Sequence, residues 1–185
     1  MESDQSLLEM TPNQMNRENF VSTFSHIYED SPWIVMQAWN IGLTPQHNTL
    51  LGLFKAFVEV VETAGVEPQI RLLRAHPELA RRIGKNTTLT KASRDEQELA
   101  GLNNCSEEEF NEFRSLNHLY KERFRFPFIL AVGGLHRNEI LEIFRKRINN
   151  DSEYELKEAL KQVHQIAYLR LCDIKLVGKI KFYDE

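Results

Sequence analysis

Apolar residues return every third or fourth position along nearly the whole chain, and no alternating polar–apolar run lasts long enough to make a strand. That periodicity predicts an all-α fold. "RENFVSTFSHIYED" sets Phe20, Phe24 and Ile27 on one face. "SPWIVMQAWN" follows with Ser31 at the N-cap and Pro32 at the first helical position, where a missing N–H does no harm. "HNTLLGLFKAFVEVVETAG" places Leu50, Leu53, Phe54, Phe57 and Val61 at helical spacing, with Gly65 as a stop. "EPQIRLLRA" begins another helix. Three Ser-x-x-Glu patterns read as capping boxes: Ser93 with Glu96, Ser106 with Glu109, and Ser152 with Glu155. They predict helices near 93–102, 106–124 and 152–174, and "RNEILEIFRKRI" fills 137–148. The 185 residues suffice for one domain with a core, expected as a compact single-domain bundle of about seven to nine helices. Residues 1–10 read as a loose extension and 174–185 as a tail without a clear assignment.

Three places break the helical routine. In "RLLRAHPELARRIG", Leu72, Leu73, Leu79 and Ile83 keep the spacing, but Pro77 interrupts it. A proline inside a helix costs about 3 kcal/mol. The expected solution ends one helix near Arg74 and starts another at Pro77, leaving His76 at or near an N-cap. A histidine there is either a capping or packing residue at a helix corner, or a fixed imidazole able to act as acid or base near neutral pH. In "FRFPFILAVGGLH", Pro127 makes Phe126 extended. The apolar Phe128–Val132 strip must find partners for its backbone N–H and C=O groups, either within the core or in a ligand. Gly133 and Gly134 would permit close approach. In "TLTKASRDEQELAGL", hydroxyl, carboxylate and amide of Ser93, Glu96 and Gln97 fall together, a set suited to urea-like groups as well as to a cap.

Charge and composition narrow the function classes. Lys and Arg number 23 against 27 Asp and Glu, a net charge of −4, and this argues against a nucleic-acid partner. The densest basic runs, "RLLRAHPELARR" and "YKERFRF", are interleaved with apolar residues and read as solvated faces. Cys105 and Cys172 are too few for a disulfide scaffold. The polar N-terminus is unlike a secretory signal, "FPFILAVGGL" is about half a membrane span, and "FYDE" is no recognised address. The expectation is a soluble intracellular protein. None of the six histidines, His26, His47, His76, His118, His136 and His164, forms a zinc-type pair. Phosphate-cradling glycine loops and Gly-x-Ser-x-Gly elbows are missing too, so metal: none and cofactor: none are the expectations.

Four motifs carry a resemblance: "SPW" at 31–33, "AHPELA" at 75–80, "SRDEQELAGL" at 93–102 and "FRFPFILAV" at 124–132. In this order and spacing the chain resembles the OHCU decarboxylase family of urate degradation, over about residues 10–172. The resemblance implies an all-α, cofactor-free, homodimeric enzyme. It would convert 2-oxo-4-hydroxy-4-carboxy-5-ureidoimidazoline (OHCU) to (S)-allantoin. It implies His76 as proton donor with Glu96 as its carboxylate partner. Substrate contacts are implied from Pro77, from Ser93, Arg94, Asp95, Glu96 and Gln97, and from Phe128, Ile129, Leu130, Ala131 and Val132. Arg170, in "IAYLRL", matches an arginine that the family places in its pocket; the bland alternative is a surface arginine, although Ile166 and Leu169 suggest a buried face nearby. Gly133 and Gly134 depart from the family pattern, as does "CDIKLVGKIKFYDE". A peroxisomal tripeptide is missing, which favours the cytoplasm. Outside the resemblance, the residues also fit a non-catalytic helical interaction module, or another cofactor-free lyase or hydrolase acting on a ureide.

Overall fold

The helical periodicity is realised as eight α-helices in the computed structural model, which describes residues 11–80 and 90–174. No strand longer than a single bridge residue occurs among them. The expectations for Ile83, for residues 1–10 and for the tail after 174 lie outside the described residues. The helices are α1 Arg17–Phe24, α2 Pro32–Ile41, α3 Leu50–Thr63, α4 Val66–Ala75, α5 Lys91–Leu99, α6 Glu107–Phe124, α7 Arg137–Arg147 and α8 Ser152–Asp173. They form two compact units, one of residues up to Gln69 with those from Ile166 onward, the other of Ile70–Gln165.

The first unit is built on aromatic packing. Phe20, Phe24 and Phe57 are fully buried, with ring centroids 5.0–6.3 Å apart. Tyr28 meets Phe57 edge-on. Asn16 caps α1 by accepting from the Asn19 N–H. Ser31 does occupy the N-cap of α2 with Pro32 after it, but its side chain makes no capping bond.

The second unit is organised around Tyr120 of α6. Phe124, Phe126, Phe128 and Phe144 surround its ring at 4.6–5.9 Å. Phe128 stacks on Phe144 at 3.8 Å. The Tyr120 hydroxyl donates to Glu155, which also receives Arg147 Nε at 2.9 Å and Asn150 Nδ2 at 2.6 Å. Arg147 sends a further N–H to the Ile129 carbonyl at 2.7 Å. Three backbone groups of the apolar strip find protein partners: the Ile129 carbonyl accepts from Arg147, the Ala131 N–H donates to Gln162 Oε1 at 3.1 Å, and the Val132 carbonyl accepts from the Leu135 N–H at 3.0 Å.

Two of the three expected capping boxes are corrected. Ser106 and Glu109 form one with both reciprocal bonds. Ser93 does not, because α5 starts two residues earlier. Thr90 caps it by accepting from the Ser93 N–H, so Glu96 lies in the second turn. Ser152 does not either: Asp151 Oδ1 accepts from the Tyr154 N–H at 2.9 Å, and Glu155 turns into the core. In both cases a better-placed oxygen precedes the serine. A further box, His136 with Glu139, opens α7.

Burial pushes the phenols of Tyr28 and Tyr120 well above the usual tyrosine range, reinforced at Tyr28 by Glu62 and at Tyr120 by Glu155 against the pull of Arg147. Below pH about 10 both phenols are neutral folded and unfolded, so neither affects stability. Above it the unfolded chain releases two protons that the folded chain keeps, which favours unfolding. The melting temperature should therefore decline as pH rises beyond about 10. Two of the five tyrosines should ionise, by absorbance, only together with the loss of helical circular dichroism. Ionisation of all five before unfolding would contradict this.

Candidate functional site

The His76 expectation is half right. Helix α4 ends at Ala75, but Pro77–Ala80 is a turn rather than the start of a helix, with Ala80 in the left-handed region at φ +53°. His76 therefore sits at the carbonyl end of α4, not at an amide end. Its backbone N–H donates to Leu73 O and its Nδ1 lies 3.0 Å from Leu72 O. A carbonyl can only accept, so Nδ1 carries the proton and the exchangeable position is Nε2. The side chain is buried. Three constraints, the helix end, the Leu72 bond and Pro77, fix the ring.

What holds the turn is Gln97. Its Oε1 accepts from the Ala80 N–H at 3.2 Å and its Nε2 donates to the Glu78 carbonyl at 3.4 Å. Asn117 Nδ2 donates to the Leu79 carbonyl at 2.9 Å. Two side chains from α5 and α6 thus satisfy backbone groups of Glu78, Leu79 and Ala80.

His76 and Pro77 line a cavity of about 380 Å³. Phe126 and Pro127 form its apolar wall, and Arg74, Arg125, Lys121 and Glu78 its polar mouth. Arg125 closes α6 with φ +67° and its carbonyl accepts from Arg74 Nε at 2.9 Å. Lys121 pairs with Glu78 at 3.2 Å. The two basic runs read as solvated faces therefore meet here, with three cations and one carboxylate at the mouth. Such a mouth favours an anion of one or two charges over a cation.

The remaining expected residues fall as follows. Ser93 and Gln97 are buried, Glu96 is half-buried, and Arg94 and Asp95 are exposed. Phe128, Ile129, Leu130, Ala131 and Val132 are all buried. Neither Glu96 nor this strip is among the described residues lining the His76 cavity. Gly134 has φ +80° and a Cβ there would meet nothing within 4 Å, so it serves the backbone turn after the strip rather than a close approach. Arg170 belongs to the other unit. It is buried, not a surface arginine, and donates to Glu29 at 2.8 Å. Beside it, burial and then the Arg170 charge hold His26 below its usual pKa. Ile166 is buried as expected, whereas Leu169 is exposed.

Arg74, Lys121 and Arg125 were not legible as site residues. Their only sequence signal is local basic density, and two stretches of chain some fifty positions apart must fold together before it becomes a mouth.

Comparison with known proteins agrees with these motifs. The OHCU decarboxylase family model matches residues 13–172. The 2-oxo-4-hydroxy-4-carboxy-5-ureidoimidazoline decarboxylase of Haloferax volcanii is 38% identical over 168 residues, covering 89% of this chain and 96% of its own length. The protein of the same name from Xenopus laevis is 34% identical over 170 residues, with 92% and 95% covered. The uric acid degradation bifunctional protein of Bacillus sp. (strain TB-90) is 34% identical over 90% of this chain, which spans 32% of that longer protein. A crystal structure of (S)-allantoin synthase superposes with a TM-score of 0.71 at 26% identity, over 88% of this chain and 52% of that one. A crystal structure of OHCU decarboxylase in the presence of (S)-allantoin shares the fold, with a TM-score of 0.65 at 20% identity over 82% and 96%. The chain belongs to the OHCU decarboxylase family.

Proposed function

We propose that the protein decarboxylates 2-oxo-4-hydroxy-4-carboxy-5-ureidoimidazoline to (S)-allantoin, with His76 as proton donor assisted by Glu96, and without a cofactor. The observation that carries the reading is the fixed, buried His76 ring at a cavity with a cationic mouth. In the reaction the bond from ring carbon to carboxylate breaks and its electron pair stays on the carbon. A proton must then reach that carbon from one face. This asks for a positioned acid in an asymmetric cavity. With Nδ1–H held by Leu72 O, the proton leaves from Nε2. His76 stands at the carbonyl end of α4, the end of a helix that favours positive charge beside it. Arg74, Arg125 and Lys121 draw the carboxylate substrate to the mouth.

Glu96 can be tested cleanly because Thr90, not Ser93, caps α5. Glu96→Gln therefore disturbs no cap. The melting temperature should stay within about 2 °C of wild type, since glutamine keeps the size of the side chain and its amide can still hydrogen-bond. If the charge supports His76 or the substrate, turnover should fall at least tenfold. Unchanged turnover would remove Glu96 from the mechanism.

Arg170 is read as a substrate contact through the planar fork of its guanidinium. Arg170→Lys should lower kcat/KM roughly tenfold, the loss of one charge-assisted hydrogen bond. Glu29→Gln, which alters only the buried partner, serves as the control. If both variants lose stability and neither changes kcat/KM, Arg170 is purely structural.

We also read the enzyme as a cytoplasmic homodimer, to be checked by sedimentation and fractionation; no described helix is long and apolar enough to cross a membrane. The deciding experiment supplies freshly generated OHCU and follows the product by circular dichroism. An (S)-allantoin signal growing with enzyme concentration supports the reading. Formation at the spontaneous rate, as a racemate, overturns it.

A further inference from the structure

Among the described residues, three that are not glycine hold a left-handed backbone: Asp30, Ala80 and Arg125. Aspartate visits that region more readily than most residues; arginine does not. The conformation at Arg125 is itself required. Arg125 follows the last residue of α6, and the reversal there brings Phe124 and Phe126, two positions apart, to the same side. Their rings stack with centroids 6.1 Å apart, and both pack against Tyr120. Arg74 Nε holds the turn by donating to the Arg125 carbonyl. Glycine would serve all of this with less backbone strain. The Arg125 side chain adds nothing to it, being exposed and without a hydrogen bond or ion pair among the described residues.

What this side chain does reach is the His76 cavity, which it lines with Arg74, Lys121 and Glu78. Lys121 and Glu78 pair at 3.2 Å, so their charges largely cancel. The charge left at the mouth is that of two guanidiniums, neither with a carboxylate partner among the described residues. Like charges on one rim repel, and an anion between them relieves the repulsion. Of the two, only Arg125 can be replaced without taking a side-chain bond from the turn.

We propose that Arg125 is a specificity-determining residue, whose guanidinium selects an anionic ligand at the His76 cavity from a position where the backbone favours glycine. The inference rests on the decarboxylase reading of that cavity and goes beyond it by separating the three cations. Arg74 and Lys121 hold neighbouring chain, and Arg125 recognises charge. It acts before the bond to the carboxylate breaks, so its contribution falls on substrate capture rather than on proton transfer.

Three variants separate charge from backbone. Arg125→Gln removes the charge and keeps the strain. At low ionic strength it should lower kcat/KM at least about threefold, mostly through KM, with the melting temperature unchanged. The deficit should shrink at about 0.5 M salt, where screening is strong. Arg125→Gly should show the same loss together with a melting temperature raised by roughly 2–4 °C, because the left-handed strain is relieved. Arg125→Lys should recover the low-salt kcat/KM. Sulfate, titrated at fixed pH and ionic strength and followed at the His76 ring signals by NMR, gives a readout that needs no turnover. Its midpoint should rise at least about threefold in Arg125→Gln. Equal low-salt kcat/KM in wild type and Arg125→Gln overturns the inference, as does sulfate binding that is absent or equal in the two. A lower melting temperature in Arg125→Gly also overturns it, since the side chain would then serve the fold. Wild type that forms no allantoin above the spontaneous rate, yet binds sulfate in an Arg125-dependent manner, would remove the reaction and leave the charge selection standing.

Discussion

His76→Asn should lose between about a hundredfold and ten-thousandfold in kcat, the range that a positioned general acid commonly supplies, while folding as wild type. Asparagine suits this test because of the bond His76 makes. Its side-chain N–H can replace Nδ1–H as donor to the Leu72 carbonyl, 3.0 Å away, so the end of α4 keeps its partner. What disappears is the second ring nitrogen, the one from which a proton would be delivered. Alanine would remove both and leave a gap in a buried position, mixing a packing defect with the chemical one. Stereochemistry gives an independent readout. Residual product from the asparagine variant should drift toward the racemate, because an untended carbanion takes its proton from water on either face. Near wild-type kcat with (S)-allantoin retained would exclude His76 as the donor, whatever its geometry.

The helices were legible because their signal is local. A face repeating every 3.6 residues marks α1, α3 and α6 without reference to anything distant. Boundaries that depend on competition were not. "Ser-x-x-Glu" at 93–96 and at 152–155 matches the capping pattern as well as 106–109 does. Only in the last does no stronger oxygen precede the serine; Thr90 and Asp151 take the other two caps. The turn after His76 misled for a different reason. Proline after an interrupted helix commonly opens the next one, but here Gln97 and Asn117 satisfy Glu78, Leu79 and Ala80 from other helices. Sequence separation of 17 to 38 residues hides those bonds from any local reading. His76 itself was legible from its place before Pro77, and the cationic mouth was not, since it joins two basic runs that are each unremarkable alone.

Glu155→Ala should be the most destabilising single substitution in the second unit. It shows why charge in a sequence says little until burial is known. Glu155 is fully buried and Arg147 is 7% exposed on its side chain. Removing the carboxylate would strand a guanidinium that also lies 4.7 Å from the Phe128 ring, and would leave the Tyr120 hydroxyl without its acceptor. Breaking a buried pair from one side costs about 3–5 kcal/mol. For a chain of this size that is a fall in melting temperature of roughly 6–20 °C. Glu112 offers the comparison. It receives two bonds from Arg145 at 2.6 and 2.8 Å, but the partners are 36% and 52% exposed. Glu112→Ala should cost far less, although its ion pair is bidentate and nearly as short. Urea titrations of the two variants decide the matter, with equal midpoints showing that burial is not what separates them. A third variant distinguishes loss of attraction from stranded charge. Glu155→Leu combined with Arg147→Met removes both ions, so it should recover much of what Glu155→Ala loses. Recovery will be incomplete, because Arg147 also holds the Ile129 carbonyl at 2.7 Å. Methionine cannot donate, so the apolar strip at Phe128–Val132 should still show faster amide exchange than in wild type.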